Sequence, residues 1–367
     1  MARVAAQLTN FTAGELSPRL DGRNDLAKYS AGCATVENMV IYPHGAAARR
    51  PGTQYVAEVK TSANSTRIIP FEFNTEQTYI LELGNLYMRF YRDNGQILEG
   101  NKTITAITKA NPGVITCSSH DYLTGDEINI SSIVGMTELN NKRFLVVKID
   151  ANTFSLTDVD GVAINTTNFT TYGSAGTMNR VFQITTTYTT AEIFDLKFAQ
   201  SADVMYITHP NHQTRKLSRT GHTTWTLAAV EFTNGPFLDT NVSTTTLTPA
   251  SAGVGTGVNV TASAVAGVNG GSGFLTTDVG RQIRIGDGYG IITARTNTTV
   301  VVVTVTTAFA NTNANTDWSL GAFSTTTGFP SCVSFFEQRL VFAASINNPQ
   351  TVYFSKSGDY ENMDANI

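Results

Sequence analysis

Apolar residues recur at alternate positions in short runs broken by Gly, Asn and Asp, a period of two that predicts strands over most of the chain. Three segments carry the same order of features: FEFNTEQTYILELGNLYMRFYRDNG at Phe71 to Gly95, FAQSADVMYITHPNHQTRKLSRTG at Phe198 to Gly221, and FFEQRLVFAASINNPQTVYFSKSG at Phe335 to Gly358. Each opens on Phe, runs through an apolar strand and a polar turn, and closes on a second strand, a basic residue and a Gly. The anchors keep step: Phe71 and Phe198, like Arg92 and Arg219, lie 127 residues apart, and Phe198 and Phe335, like Arg219 and Lys356, lie 137 apart. Strand units repeated this way bury their faces only against their neighbours, which predicts propeller blades or stacked sheets. Three blades do not close a ring, since propellers need roughly four to eight. The remaining blades are expected beyond Ile367 or from another chain, and the ending GDYENMDANI, with no capping element, makes truncation the expectation. Within the first unit Tyr87 and Tyr91 share parity, which places Met88 and Phe90 on the opposite face.

One stretch breaks the pattern. In Arg23 to Asn38 the residues Leu26, Tyr29, Cys33 and Val36 fall at helical spacing, with Asn24 and Asp25 as capping and first-turn residues, so a short helix is predicted. Met39 to Tyr42 follows as a strand, Pro43, His44 and Gly45 as a turn, and Arg49, Arg50, Pro51 and Gly52 as a charged corner.

Two insertions separate the repeated units. The first contains short strands at Val114 to Cys117, Glu127 to Ile130, Arg143 to Ile149 and Thr153 to Leu156. The second reads as a three-stranded unit, Arg281 to Ile285, Ile291 to Arg295 and Val300 to Val305, with a turn at Gly286, Asp287 and Gly288. Its Val-rich strand needs cover on both faces, which subunit packing would supply. The expected organisation is a helix and hairpin at 1–59, a blade at 60–102, an inserted barrel at 103–177, a blade at 178–235, a second small β insertion at 236–323, and a further blade started at 324–367. The fold class is mostly β: a partial propeller of about three blades carrying two small β-domains and an N-terminal helix-hairpin.

Only 15% of the residues are charged, which fits exposed β-structure rather than long helices. A net charge of −4 supplies no basic field to grip nucleic acid, although DNA slides past a neutral or acidic wall. Near Met1 there is no signal-peptide pattern, and no apolar run reaches bilayer length, so no membrane anchor is expected. Cys33, Cys117 and Cys332 lie far apart and are read as buried thiols.

No catalytic constellation emerges. His209 and His212 in THPNH have ligand-like spacing, but a third ligand such as Asp203 or His222 has to come from adjoining turns, and Pro210 and Asn211 read as an inter-strand loop. The glycine clusters at Gly253 to Gly257 and Gly286 to Gly290 lack the Lys and Ser or Thr of a phosphate loop. Asp121, Asp126, Glu127, Asp158 and Asp160 match neither a calcium loop nor a glycosidase pair and are read as turn residues. Catalytic, cofactor and metal residues are therefore all assigned as none. Arg49 and Arg50 remain open between two readings: pinning a neighbouring subunit through bidentate carboxylate pairs, or a solvated hairpin with one intramolecular partner, for which Glu37 is placed.

AGELSPRLDGRNDLAKYSAGC followed by ENMVIYPHGAAARRPGTQYVAEV resembles the N-terminus of the tail nozzle (tail tubular protein B) family of short-tailed bacteriophages. SFFEQRLVFAASINNPQTVYFSKSGDYENM at Ser334 to Met363 is similar to a later block of that family. The resemblance implies a virion protein rather than an enzyme: six copies in a ring below the portal and adaptor, enclosing the DNA exit channel and supporting the fibres. Such a protein is assembled in the host cytoplasm and resides in the tail. The first insertion resembles the FCCH β-barrel of the ubiquitin-activating enzyme, which implies a fold and not ubiquitin activation. Two other readings stay open, a receptor- or glycan-binding or depolymerising tail protein and an inactive prophage remnant.

Overall fold

The computed structural model describes residues 8–74 and 77–364, and they are almost entirely β-structure and turns. Two compact units divide the chain, one ending at Val56 and the other beginning at Ala57.

The N-terminal unit contains no α-helix among its described residues. The segment Arg23 to Asn38, predicted as a short helix, holds one 3-10 turn, Tyr29–Ala31, and another, Pro18–Leu20, precedes it. The reason lies in the sequence between the apolar positions. Gly32 within the segment costs a helix about 1 kcal/mol relative to Ala, and Asn24, Asp25 and Ser30 favour turns over helix interiors. The backbone takes another partner: Gly14–Glu15 pairs in parallel with Gly32–Cys33, and the Gly22 N–H donates to Tyr29 Oη. The predicted hairpin does form, as Met39–Ile41 and Ala47–Arg49 joined through Pro43 to Gly45. Gly45 at φ +100° lets the turn close against Asn10, whose side chain lies 2.9 Å from where a Cβ would be.

The larger unit is built on three antiparallel meander sheets. The first has the order Gln183–Thr185, Tyr87–Arg92, Thr78–Gly84, Arg67–Glu72. The second runs in chain order through Lys197–Ser201, Val204–His209, His212–Gly221 and Thr224–Ala229. The third is Pro330–Phe336, Arg339–Ser345 and Val352–Phe354. Phe71, Phe198 and Phe335 each sit on the first strand of their sheet in chain order, so the repeat marks equivalent strands.

Alternation along one strand shows how the sheets stack. Met205 and Ile207 belong to a core shared with Phe71, Leu81 and Phe90 of the first sheet, whereas Val204 and Tyr206 belong to a core shared with Leu340 and Phe342 of the third. The second sheet is thus covered on both faces. Burying each such side chain contributes roughly 1.5–3 kcal/mol. Polar seams join the same sheets: Arg92 donates to His222, the Arg219 guanidinium lies 4.2 Å from the Phe73 ring centre, and Lys216 meets Glu361 at 2.6 Å.

Both insertions form their own sheets. In the first, Lys102–Thr103, Ala106–Ile107, Val114–Thr116, Glu127–Val134, Lys142–Lys148, Thr153–Thr157 and Ser174–Arg180 make a curled seven-stranded antiparallel sheet. It closes over Ile128, Ile130, Phe144, Val146, Phe154 and Met178. The second is larger than the expected three strands. Leu247–Pro249, Gly255–Ala262 and Trp318–Leu320 extend it to six. The Val-rich strand Val300–Thr307 lies between Gly255–Ala262 and Gly288–Arg295, so its edges are paired within the chain. Val301, Val303 and Val305 fill its core.

Candidate functional site

Arg49, Arg50 and Glu37 are all exposed on the N-terminal unit. Arg50 reaches Asn38 rather than the adjacent Glu37, donating from Nε to Oδ1 at 2.6 Å and from its backbone N–H to the Asn38 carbonyl. Around them the hairpin presents Met39, Val40 and Tyr42, each between 42% and 47% exposed. The unit thus offers basic and apolar side chains together on a surface that no core of its own absorbs.

The stack of meander sheets has a second kind of open surface. On the outer face of the first sheet Ile68 is 71% and Ile80 41% exposed, and on the outer face of the third Phe336 is 58% and Phe354 45% exposed. Strand parity produces both: Ile69, Phe71, Val333 and Phe335 point inward, so their neighbours point out. Cys332 follows the same rule. It is exposed, contrary to the expectation of a buried thiol, while Cys117 is buried and Cys33 half-buried.

The carboxylates noted in the sequence serve as structural partners. Arg89, fully buried, meets Glu127 at 2.7 Å, and Arg143 approaches the same carboxylate at 3.3 Å. Arg180 joins Glu99 at 2.7 Å to Asp126 at 2.9 Å. The Arg89–Glu127 pair ties the seven-stranded insertion to the first meander sheet, and the others brace the insertion and the segment that leads into it. Asp121 pairs with Lys102, and Asp158 accepts the N–H groups of Asp160 and Val162 in a turn. Tyr87 and Tyr91 both donate to the buried Glu82, on the face opposite Met88 and Phe90. Burial, aided by that carboxylate, pushes both phenols up from their ordinary value. In the second insertion Arg281 and Asp278 form a fully buried pair at 2.8 Å. Gly286 and Asp287 make the predicted hairpin turn.

His209 and His212 flank the two-residue turn Pro210 and Asn211 as directly paired positions. Their ring centres lie 5.0 Å apart. Neither Asp203 nor His222 joins them. His222 sits against Tyr79 and Arg92, and Asp203 lies by Arg219. Glu192 takes the third place instead, its Oε1 2.9 Å from His212 Nε2. It arrives from a turn closed by Thr189, whose N–H and hydroxyl both donate to Glu192 Oε2 at 2.8 Å. The Thr-x-x-Glu spacing was the only local signal for that turn, and nothing in it points toward His209. Burial and the neighbouring His212 lower the His209 pKa. For Glu192, desolvation is outweighed by hydrogen bonds from Thr189 and His212, which hold its pKa down at about 2.

A cleft of about 620 Å³ lies where the second insertion meets the third sheet. Phe237, Trp318 and Tyr353 line it with Asn241, Asn347 and Asn348, and Asp239 is the one carboxylate among the described lining residues.

Comparison with known proteins places one domain. Residues 110–181 match the ubiquitin-activating enzyme E1 FCCH domain, so the seven-stranded insertion is FCCH-like. Ubiquitin-like modifier-activating enzyme 1 from Oryctolagus cuniculus is 35% identical over 82 residues, and that from Homo sapiens 34% identical over 82 residues. The match covers 21% of this chain and 7% of each enzyme. Among solved structures, phage phi92 endosialidase aligns with 77% of this chain and 53% of its own, at 11% identity and a TM-score of 0.17.

Proposed function

We propose that the chain is a structural, non-enzymatic subunit of a short phage tail, of the nozzle type, whose copies close into a ring around the path of exiting DNA. The stacked meanders are read as blades of a β-propeller. The N-terminal unit, with Arg49, Arg50 and Glu37, is read as a subunit contact. The family resemblance supplies six copies, a portal-adaptor complex above, fibres at the side, a place in the virion tail and assembly in the host cytoplasm.

The observation that carries this reading is the asymmetry of burial in the stack. The second sheet is covered on both faces and the third leaves an apolar outer face open, while the outer face of the first keeps Ile68 and Ile80 exposed beside Glu82, Tyr87 and Arg89, which are buried, with Arg89 tied to Glu127 of the inserted domain. A repeat that buries its faces only against like neighbours needs further neighbours at both ends. Different surfaces at the two ends make a heterologous contact, which closes into a ring when the rotation per subunit permits. The low charge of the chain suits a wall along which DNA slides without being held.

The test is assembly. The full chain is expected to form rings visible by electron microscopy, and a chain lacking residues 1–59 is expected to lose them. Rings from the shortened chain overturn the interface assignment. A full chain that sediments as a monomer at every concentration overturns the subunit reading.

The cleft beside Trp318 favours one second reading, a glycan-binding tail protein. Aromatic faces and amide side chains suit a sugar, and a single carboxylate suits binding rather than acid–base hydrolysis. Binding of labelled host polysaccharide that is lost in Tyr353→Ala supports it, and no binding removes it.

A further inference from the structure

We propose that Glu192, His209 and His212 form a site for one divalent transition-metal ion of the zinc class. One ligand atom from each residue lies within 4.8 Å of the other two. Two imidazoles and a carboxylate are the donor set that zinc takes in three-ligand protein sites, with water in the fourth position.

The hairpin and the turn bring these groups together without a long loop. His209 and His212 face each other across the ladder because only Pro210 and Asn211 separate them. His209 is buried, and the two other side chains are about a quarter exposed, so the site opens to solvent on one side. The Tyr188 ring closes another side, edge-on to His212 with ring centres 5.3 Å apart. Two Thr189 donors hold the Glu192 carboxylate, which is the outer support that metal-ligating groups need.

Metal entry requires a proton exchange that balances. The Nε2 proton that His212 donates to Glu192 is exchanged through solvent for one on its own Nδ1, so the ring stays a neutral imidazole, and Nε2 and the carboxylate turn their freed lone pairs to the ion. His209 gives up the 3.2 Å contact from the Asn211 N–H to Nδ1 if that nitrogen is its ligand.

The position of the site gives it a mechanical role. Glu192 belongs to the turn that carries Ile193 and Leu196 into the core between the first and second sheets. Arg67 of the first sheet holds the same turn by donating to the carbonyls of Ile193, Phe194 and Leu196 at 2.9, 3.0 and 2.9 Å. A bound ion would grip the turn from the second sheet, opposite that Arg67 clasp, and lock the seam.

The test is titration of the full chain with Zn²⁺ by calorimetry and with Co²⁺ by visible absorption. One ion per chain is expected, with the intense visible bands of four-coordinate cobalt. Glu192→Gln and His209→Ala are expected to weaken binding at least about 100-fold, and His44→Ala, on the exposed hairpin of the N-terminal unit, to leave it unchanged. Zn²⁺ is expected to raise the melting temperature of the native chain but not of Glu192→Gln, a substitution that keeps the side-chain shape. Native affinity no tighter than that of Glu192→Gln, or binding lost only in His44→Ala, overturns the proposal.

Discussion

The indole of Trp225 lies 4.4 Å from the ring centre of Phe90 at 29°, a stacked contact across the seam between the first and second meander sheets. Phe71 and Tyr79 complete the cage edge-on, at 4.9 and 5.2 Å. Trp225 also donates from Nε1 to the His222 carbonyl at 3.0 Å, so its polar edge is satisfied. Trp225→Ala is expected to cost about 3–5 kcal/mol. Urea unfolding followed by circular dichroism checks it, and a loss below about 1 kcal/mol shows that the seam does not depend on this ring.

Arg89 and Glu127 are buried together, so removing one partner leaves a charge without compensation. Arg89→Met is expected to destabilise the chain by about 3 kcal/mol or more, while Arg89→Met with Glu127→Leu recovers most of the loss. Arg143, which shares the carboxylate, would also lose that contact in the double variant. A double-mutant cycle on the unfolding free energy measures the coupling, and additive losses refute it.

Acid should loosen the FCCH-like domain through two carboxylates, the half-buried Glu138 and the exposed Asp150. N–H and hydroxyl donors of Thr170 lower the Glu138 pKa, and N–H donors of Asn152 and Thr153, with the Thr153 side chain, lower that of Asp150. A depressed folded value means the stabilisation is fully present above the ordinary 4.5 and 3.8 and is lost as pH falls below them. Glu138→Gln with Asp150→Asn is therefore expected to lower stability at pH 7 and flatten its decline below pH 4.5. Parallel pH profiles for the native and double-variant chains contradict this.

If the outer faces carry assembly, charge placed on either one should block it. Phe336→Glu with Phe354→Glu on the third sheet, or Ile80→Lys on the first, is expected to give a monomer of unchanged circular dichroism. Sedimentation velocity decides between that result and an unaltered oligomer, which would move assembly to the N-terminal unit alone.

Much of the β-architecture was legible because period-two alternation survives burial on both faces. Met88 and Phe90 against Tyr87 and Tyr91 read the same in sequence and in space. The helix over Arg23 to Asn38 failed because spacing alone ignores what the backbone can pair with, here Gly14–Glu15. Leu26, one of the positions expected to be buried, is 37% exposed. The six-stranded sheet was undercounted where strands are short, as in Leu247–Pro249 and Trp318–Leu320, or rich in Thr and Gly, as in Gly255–Ala262. Glu192 was missed for another reason: its tie to His212 spans 20 residues and depends on how a turn folds back over a hairpin.

The fourth strand of the first sheet, Gln183–Thr185, comes after the whole FCCH-like domain, and Leu98 and Val181 bridge at its base. During synthesis Gly95–Gln96 can pair with Tyr91 and Arg92 at once, but the Tyr87 to Arg89 part of that edge waits until the inserted domain has emerged and brought its two ends side by side. The insertion is a temporal gate on its host: a fault within it leaves Tyr87 to Arg89 without their partner Gln183–Thr185, though none of the faulty residues lies in that sheet. The same closeness of ends would let a short turn from Leu98 to Val181 stand in for the domain, provided that Arg89, which loses Glu127 with it, is replaced as well.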